Sequence, residues 1–528
     1  MDVFYFSGKT PGKITMENWK LEAEHFLNNE TSFHLGFLPS ESRNPLSMHM
    51  DEDFNTSTVC GVKTLLACDK ALIPHLRTAL ASPEYAEMVE AMKNARRIVF
   101  SGCGATGRLA ILLESAYLEA FPEEHRVCSI MTGGDFALIR SVENFEDYPG
   151  VGKKQVEDLE IDHRDILIGI TATGETASII GSAREAALRG AKVFMLICVP
   201  ADLPASRIER CRELYSMPNV TVISMLIGGM ALTGSTRMQS STIEFLVASS
   251  ALERALGTEG IDYAGAFEDL MASLDEAESS QNIADMIDFE YNAYQKHELI
   301  DYIAHDLAID ILSDTTERSP TFMIPPYKFI EDESSPEPWA MLRDEDAATE
   351  EIWQKCLKRA PRCIAWKKED YINSGLAEIV KNKVPVIDAE MLMHIPLGGK
   401  IPARQNAHKV RITNIHGGAV EFNGKKIGGK VCATPLRIFE HLRMKLVMNI
   451  ISTGTMVKYG RVRGNYMIHL SISNKKLIDR ATRIISELCG IDYKEACYEL
   501  FRTREELAGN GNCHISAVAA TIDRLTRK

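Results

Sequence analysis

Between residues 98 and 225 the chain alternates short apolar runs with stretches of helical spacing. Ile98, Val99 and Phe100 form the first run, and residues 127–131, 166–170, 193–198 and 220–225 form four more. Helix-like stretches follow them at 108–121 and 136–143, after the third run as far as Arg189, and briefly near 206–214. Runs rich in β-branched residues and apolar on both faces, joined by helical crossovers, predict a parallel sheet covered on both sides. The expected fold class is therefore α/β, with a doubly wound first sheet of about five strands.

The flanks read differently. Residues 1–58 are irregular apart from a helical stretch around 16–27, and Leu38-Pro-Ser-Glu-Ser-Arg-Asn-Pro45 holds too many breakers for a strand or helix, which predicts an extended arm. Leu65, Leu66, Ala71, Leu72, Leu76 and Leu80 predict two helices over 59–93. Thr233-Gly-Ser-Thr-Arg-Met238 opens a long helix to about Leu256, and Ser235 and Thr236 suit its N-cap. A second block begins near Ser273, with an apolar segment at 299–303, a helix at 307–312, and strand-like runs at 363–366 and 384–387. Gly398-Gly399 and Gly417-Gly418 punctuate a hairpin-like stretch, a helix is expected over 435–459, and a helical tail over 468–528. This block reads as a weak internal repeat of the first. The expected division is an N-terminal arm at 1–58, domains at 59–270 and 271–467, and a C-terminal helical cap at 468–528.

Composition narrows the function classes. A chain of 528 residues is too long for one ordinary core. With 59 basic against 73 acidic residues, the net charge of −14 argues against a nucleic-acid surface and leaves room only for a local basic pocket. The twelve cysteines contain no Cys-x-x-Cys pair, so neither a zinc site nor another metal is expected, and no cofactor is implied. The N-terminus lacks a signal-peptide pattern and no apolar run reaches about 18 residues, so the expected location is the cytoplasm, without membrane contact.

The candidate chemistry centres on Arg97-Ile-Val-Phe-Ser-Gly-Cys-Gly-Ala-Thr-Gly-Arg-Leu109. Strand, glycine turn and helix start together form an anion site, because first-turn N–H groups and the helix dipole face the guest. A hydroxyl-bearing turn, Thr171-Ala-Thr-Gly-Glu-Thr176, follows the third strand and lies on the same sheet edge, which suits one phosphate held between the two turns. Gly102-x-Gly104-x-x-Gly107 also matches the dinucleotide fingerprint. That reading needs an acidic residue about 20 positions on, at the end of the second strand. Here that strand runs into Gly133-Gly134, and Asp135 comes about a dozen residues too late for the fingerprint.

The loop resembles the phosphosugar loop of sugar-isomerase (SIS) domains, nearest the N-acetylmuramic acid 6-phosphate etherase and glucokinase regulatory protein families. The same resemblance covers the 38–45 arm, Gly133-Gly134 through Asp147, Thr233–Met238, Met448-Asn-Ile-Ile-Ser-Thr-Gly454 and Ile472-Ser-Asn-Lys-Lys-Leu477. It implies two SIS-type doubly wound parallel-sheet domains in one chain. It also implies an acid/base glutamate in the helix after the loop, but the matching position is Ala116, with Glu114 two residues earlier on another face. In the second block, Asp314-Thr-Thr-Glu317-Arg-Ser-Pro-Thr-Phe322 keeps the glutamate, while Tyr302-Ile-Ala-His-Asp-Leu-Ala308 has no glycine to form a loop.

The resemblance thus implies one composite site. Gly102, Gly104, Ala105, Thr106, Thr171, Thr173, Thr176 and Ser235 would hold the ligand, with Lys476 from the tail, and Glu143 and Glu317 would be its acid/base pair. Two functions follow: a binding protein that holds a sugar phosphate or amino-sugar phosphate and signals to a partner such as a sugar kinase, or an active etherase or sugar-phosphate isomerase using Glu143 and Glu317.

Overall fold

The structure is a computed structural model that describes residues 18–140, 142, 145–381, 387–399, 404–512 and 514–527. Strands β1 (Ile98–Gly102), β2 (Val127–Met131), β3 (Ile166–Ile170), β4 (Lys192–Ile197) and β5 (Val220–Ser224) form an all-parallel sheet in the order β2-β1-β3-β4-β5. Every residue of β1 and β3 is buried, as expected of strands covered on both faces. The helices Ala105–Ala120, Pro149–Asp158 and Ala177–Leu188 make the crossovers. After β2 the expected 136–143 helix is only a 3-10 turn, Asp135–Leu138. Gly133 and Gly134 bend the chain at φ +94° and +69°, and the Asp135 carboxylate is held by Arg359 Nη1 at 2.6 Å, so the backbone is pinned before a helix can propagate.

The second sheet has the order β10-β9-β8-β6-β7. Its parallel core is β6 (Leu299–Ala304) between β7 (Ala340–Leu342) and β8 (Ala407–Asn414), and β9 (Val420–Phe422) and β10 (Lys425–Ile427) extend it as an antiparallel meander. Gly417 at φ +65° turns the β8–β9 hairpin. The 363–366 run is not a strand: Cys363 makes one bridge to Gly134, and Trp366 Nε1 donates to Asp158 Oδ2 at 2.7 Å, so this segment seals the first sheet's edge. Residues 384–386 of the 384–387 expectation lie outside the described residues.

Three helices rather than two fill 58–94, because Pro74 and Pro83 each sit in a first turn and start a new helix. The 38–45 segment is not extended: it coils into 3-10 turns at Pro39–Glu41 and Pro45–Ser47, the second capped by Asn44 Oδ1, which accepts from Leu46 N at 2.9 Å. The helix Ile438–Lys458 runs through the core between the halves, and the tail folds into Lys475–Cys489, Tyr493–Gly509 and Ala517–Thr526. No helix among the described residues is long and apolar enough to cross a membrane.

Candidate functional site

β1 and β3 are hydrogen-bonded neighbours at the centre of the first sheet, and their connections leave in opposite directions. The crevice at such a switch point opens beyond the carboxyl ends of these two strands. From Gly102 the chain turns through Gly104, at φ +56°, into the Ala105–Ala120 helix; from Ile170 it turns through Gly174, at φ +72°, toward the Ala177–Leu188 helix. Neither helix start carries a side-chain cap; in the first turns Thr106 N donates to Cys103 O at 3.2 Å and Ser178 N to Glu146 O at 3.0 Å, which leaves the neighbouring N–H groups for a ligand. Within the turns the hydroxyls are held in place: Thr106 Oγ1 donates to Cys103 O and accepts from Cys103 N, both at 3.0 Å, and Thr171 and Thr176 share a bond of 2.9 Å.

These turns line a cavity of about 140 Å³. Gly104, Ala105 and Thr106 come from the first turn, Thr171, Thr173 and Thr176 from the second. Ser235, Glu317 and Lys476 line the same cavity. Ser235 and Thr236 do not cap the following helix, whose N-cap is Met238 with no side-chain bond; both line the cavity instead. Gly102 does not line it and lies directly behind, against the first turn of the helix. Glu143 lies outside the described residues.

Several charged groups here were missed in the sequence. Glu146, three residues beyond Glu143, lines the cavity, and its Oε1 lies 2.6 Å from Lys476 Nζ. Asn474 Nδ2 donates to its Oε2 at 3.1 Å, and Ser178 N donates to its carbonyl at 3.0 Å. Burial opposes the Lys476 charge, but Glu146 outweighs it and holds the ammonium above the usual lysine range. Next to it, burial and then the Glu146 charge push the Asp147 carboxyl up to about 7. Arg108, at 3.7 Å from Glu317 Oε1, and Arg237 sit in motifs already marked, the glycine loop and Thr233–Met238. Lys476→Met should weaken binding of a hexose 6-phosphate ten- to hundredfold, roughly the loss of one charge-assisted hydrogen bond. Calorimetry with an unchanged affinity would remove Lys476 from the site.

Residues 82–186, which contain both turns, match the family model of the glucokinase regulatory protein N-terminal SIS domain. N-acetylmuramic acid 6-phosphate etherases of Yersinia pestis and Yersinia pseudotuberculosis are each 32% identical over 244 residues, 45% of this chain and 77% of theirs. The chain belongs to the SIS-domain family of these proteins. Among solved structures, the tagatose-6-phosphate ketose/aldose isomerase of Escherichia coli aligns with 80% of this chain and 98% of its own, at 9% identity and a TM-score of 0.40.

The two halves of the chain differ at the helices that follow β1 and β6. In the first, Ala116 is core, and Glu114 is turned away from the cavity: it accepts from Ser129 Oγ and Arg362 Nη2, both at 2.6 Å, and pairs with Arg359 at 3.0 Å. That carboxylate ties the first half to the 359–362 segment. In the second, the chain after β6 turns through Leu307 at φ +53°, and Asp306 Oδ1 accepts from Leu307 N at 2.9 Å. Asp306 is also clamped by Arg437, so ion pairs of the chain itself fix this turn where glycine shapes the one after β1, and the Ala308–Phe322 helix, like the two of the first half, carries no side-chain cap.

Proposed function

We propose that the chain binds a phosphorylated sugar or amino sugar at one composite site. The phosphate would lie on the 102–106 and 171–176 turns with Lys476, and Glu146 and Glu317 would face the sugar. The observation that carries this reading is the shared cavity: the turns of the first half meet Glu317 and Lys476 there. The division into an arm to residue 58, SIS domains at 59–270 and 271–467 and a cap from 468 belongs to the same reading. A sensor of this kind would report ligand to a protein partner such as a sugar kinase in the cytoplasm.

The alternative is a lyase or isomerase. An etherase would open the ring, remove the C2 proton, expel lactate from C3 and add water, which calls for an acid and a base. Glu317, Glu146 and Glu143 supply carboxylates for that chemistry. Incubation with N-acetylmuramic acid 6-phosphate and assay of lactate separates the two. Binding without turnover, with fructose or amino-sugar phosphates stabilising the protein by about 2.7 kcal/mol at a hundredfold excess over Kd, is the expected result. Lactate release abolished by Glu317→Gln would replace the sensor reading with the enzyme reading.

A further inference from the structure

Glu146 and Asp147 are neighbours in the chain, and both are claimed by the start of the Lys475–Cys489 helix of the cap. Glu146 holds Lys476 Nζ at 2.6 Å and Asn474 Nδ2 at 3.1 Å, on the cavity wall. Asp147 Oδ2 accepts from the backbone N–H of Lys475 at 3.4 Å. Lys475 gives Asp147 only part of its charge, because its ammonium pairs with Glu30 at 3.0 Å. The other charges around this pair are matched elsewhere. Glu175, in the second turn, lies 2.5 Å from Arg210, and its charge still opposes that of Asp147. Arg480 is taken by Glu41, and burial keeps the Cys103 thiol neutral, pushed up to about 12. Among the described residues, Lys476 is thus the cation that pairs with Glu146.

A phosphate seated on the two turns competes for that cation. Near neutral pH a phosphate monoester carries almost two negative charges and three acceptor oxygens, so it draws the Lys476 ammonium toward itself. Glu146 is then left charged without its partner, beside Asp147 and close to the new dianion. Like charges disfavour ionisation, and the pair relieves the repulsion most cheaply at the carboxyl whose charge burial already opposes. That group is Asp147, which stands at about 7 before any ligand arrives. We infer that phosphosugar binding at this site is coupled to the uptake of one proton from solvent by Asp147. The cavity would thereby report acidity together with ligand. A carboxyl that holds its proton more firmly in the complex makes binding strongest below its free value, and the affinity falls as pH rises above about 7. This inference rests on the proposed function.

The test is calorimetry on the full chain with fructose 6-phosphate and N-acetylglucosamine 6-phosphate. Titrations at pH 7.5 in Hepes and in Tris count protons, because the two buffers differ in ionisation enthalpy. Uptake of about half to one proton per ligand is expected, with an affinity that falls about three- to fivefold from pH 7 to pH 8. The ligand cannot produce this result itself: its phosphate, with a second pKa of about 6, would release protons on binding as the dianion. Asp147→Asn keeps an acceptor for the Lys475 N–H but cannot titrate, so its affinity should stay level over the same range, with no uptake. Binding by the unmodified protein without uptake, or with release, would overturn the inference and leave the proposed function standing; that measurement needs no variant to fold. Uptake that persists in a folded Asp147→Asn protein would also overturn it, because the proton would then sit elsewhere. Binding of neither ligand would overturn both the inference and the reading beneath it.

Discussion

Gly102→Ala should abolish the proposed stabilisation of this protein by sugar phosphates and lower its melting temperature even without ligand. A Cβ at position 102 would lie 2.3 Å from the carbonyl carbon and oxygen of Thr106 and 2.5 Å from Gly107 N. All of these are backbone atoms, so no side chain can rotate away. Strand and helix must separate, and with them the first-turn N–H groups that would meet the phosphate. Overpacking of this kind costs about 1–3 kcal/mol of stability or more, and loss of the cradle geometry should reduce affinity by about a hundredfold or beyond. Gly104→Ala is the contrasting case. No described residue lies within 4 Å of a Cβ there, and only the backbone conformation, φ +56° and ψ −123°, opposes it, a cost of about 1–3 kcal/mol. Thermal melts of both variants with and without fructose 6-phosphate check the pair, and equal behaviour of the two would refute the strand–helix contact as the cause.

Glu41→Ala should be the most destabilising single change in the arm. The Glu41 carboxylate is buried, with Oε1 2.6 Å from Arg480 Nη2 and Oε2 2.6 Å from Arg483 Nη2. Removing it strands Arg480, whose side chain is 5% exposed, at a cost of about 3–5 kcal/mol. Burial by itself would raise the Glu41 pKa, but the two guanidinium groups prevail and hold it at about 2. A carboxyl depressed in the folded state adds stability that is fully present above its unfolded pKa of about 4.3 and is lost as pH falls toward the folded value of about 2. The stability gap between the unmodified protein and Glu41→Ala should therefore narrow between about pH 4.3 and 2, and urea titrations at pH 7 and pH 3 measure it. Arg480 also lines the cavity, on the Lys475–Cys489 helix that carries Lys476, so the variant should bind sugar phosphates more weakly as well. A variant as stable as the parent at pH 7 would show that the arm does not anchor the cap.

Much of this was legible because it is local. The five runs that became β1–β5 are short and apolar with glycine or proline nearby, and the turns after β1 and β3 carry their hydroxyls within a few residues of each strand. The helix boundaries moved where proline acted, at Pro74 and Pro83. Expectations failed where distant groups captured a segment. Asp135 is taken by Arg359 before a helix can form, Cys363 bridges to Gly134 instead of joining a sheet, and Pro39–Glu41 coils because Glu41 has partners in the cap.

By itself, then, the sequence determined the first α/β sheet and the two turns on its edge. Each follows from residue type at fixed short spacing, which sets backbone conformation directly. Only the tertiary structure decided which side chains share the cavity. Lys476 meets Glu146 across 330 positions and Arg480 meets Glu41 across 439, and both contacts depend on how the cap docks onto the arm and the first sheet. Arg237 is of the same kind: its motif marks the residue, but whether its donors find partners depends on the helices that carry Asp314 and Ser452.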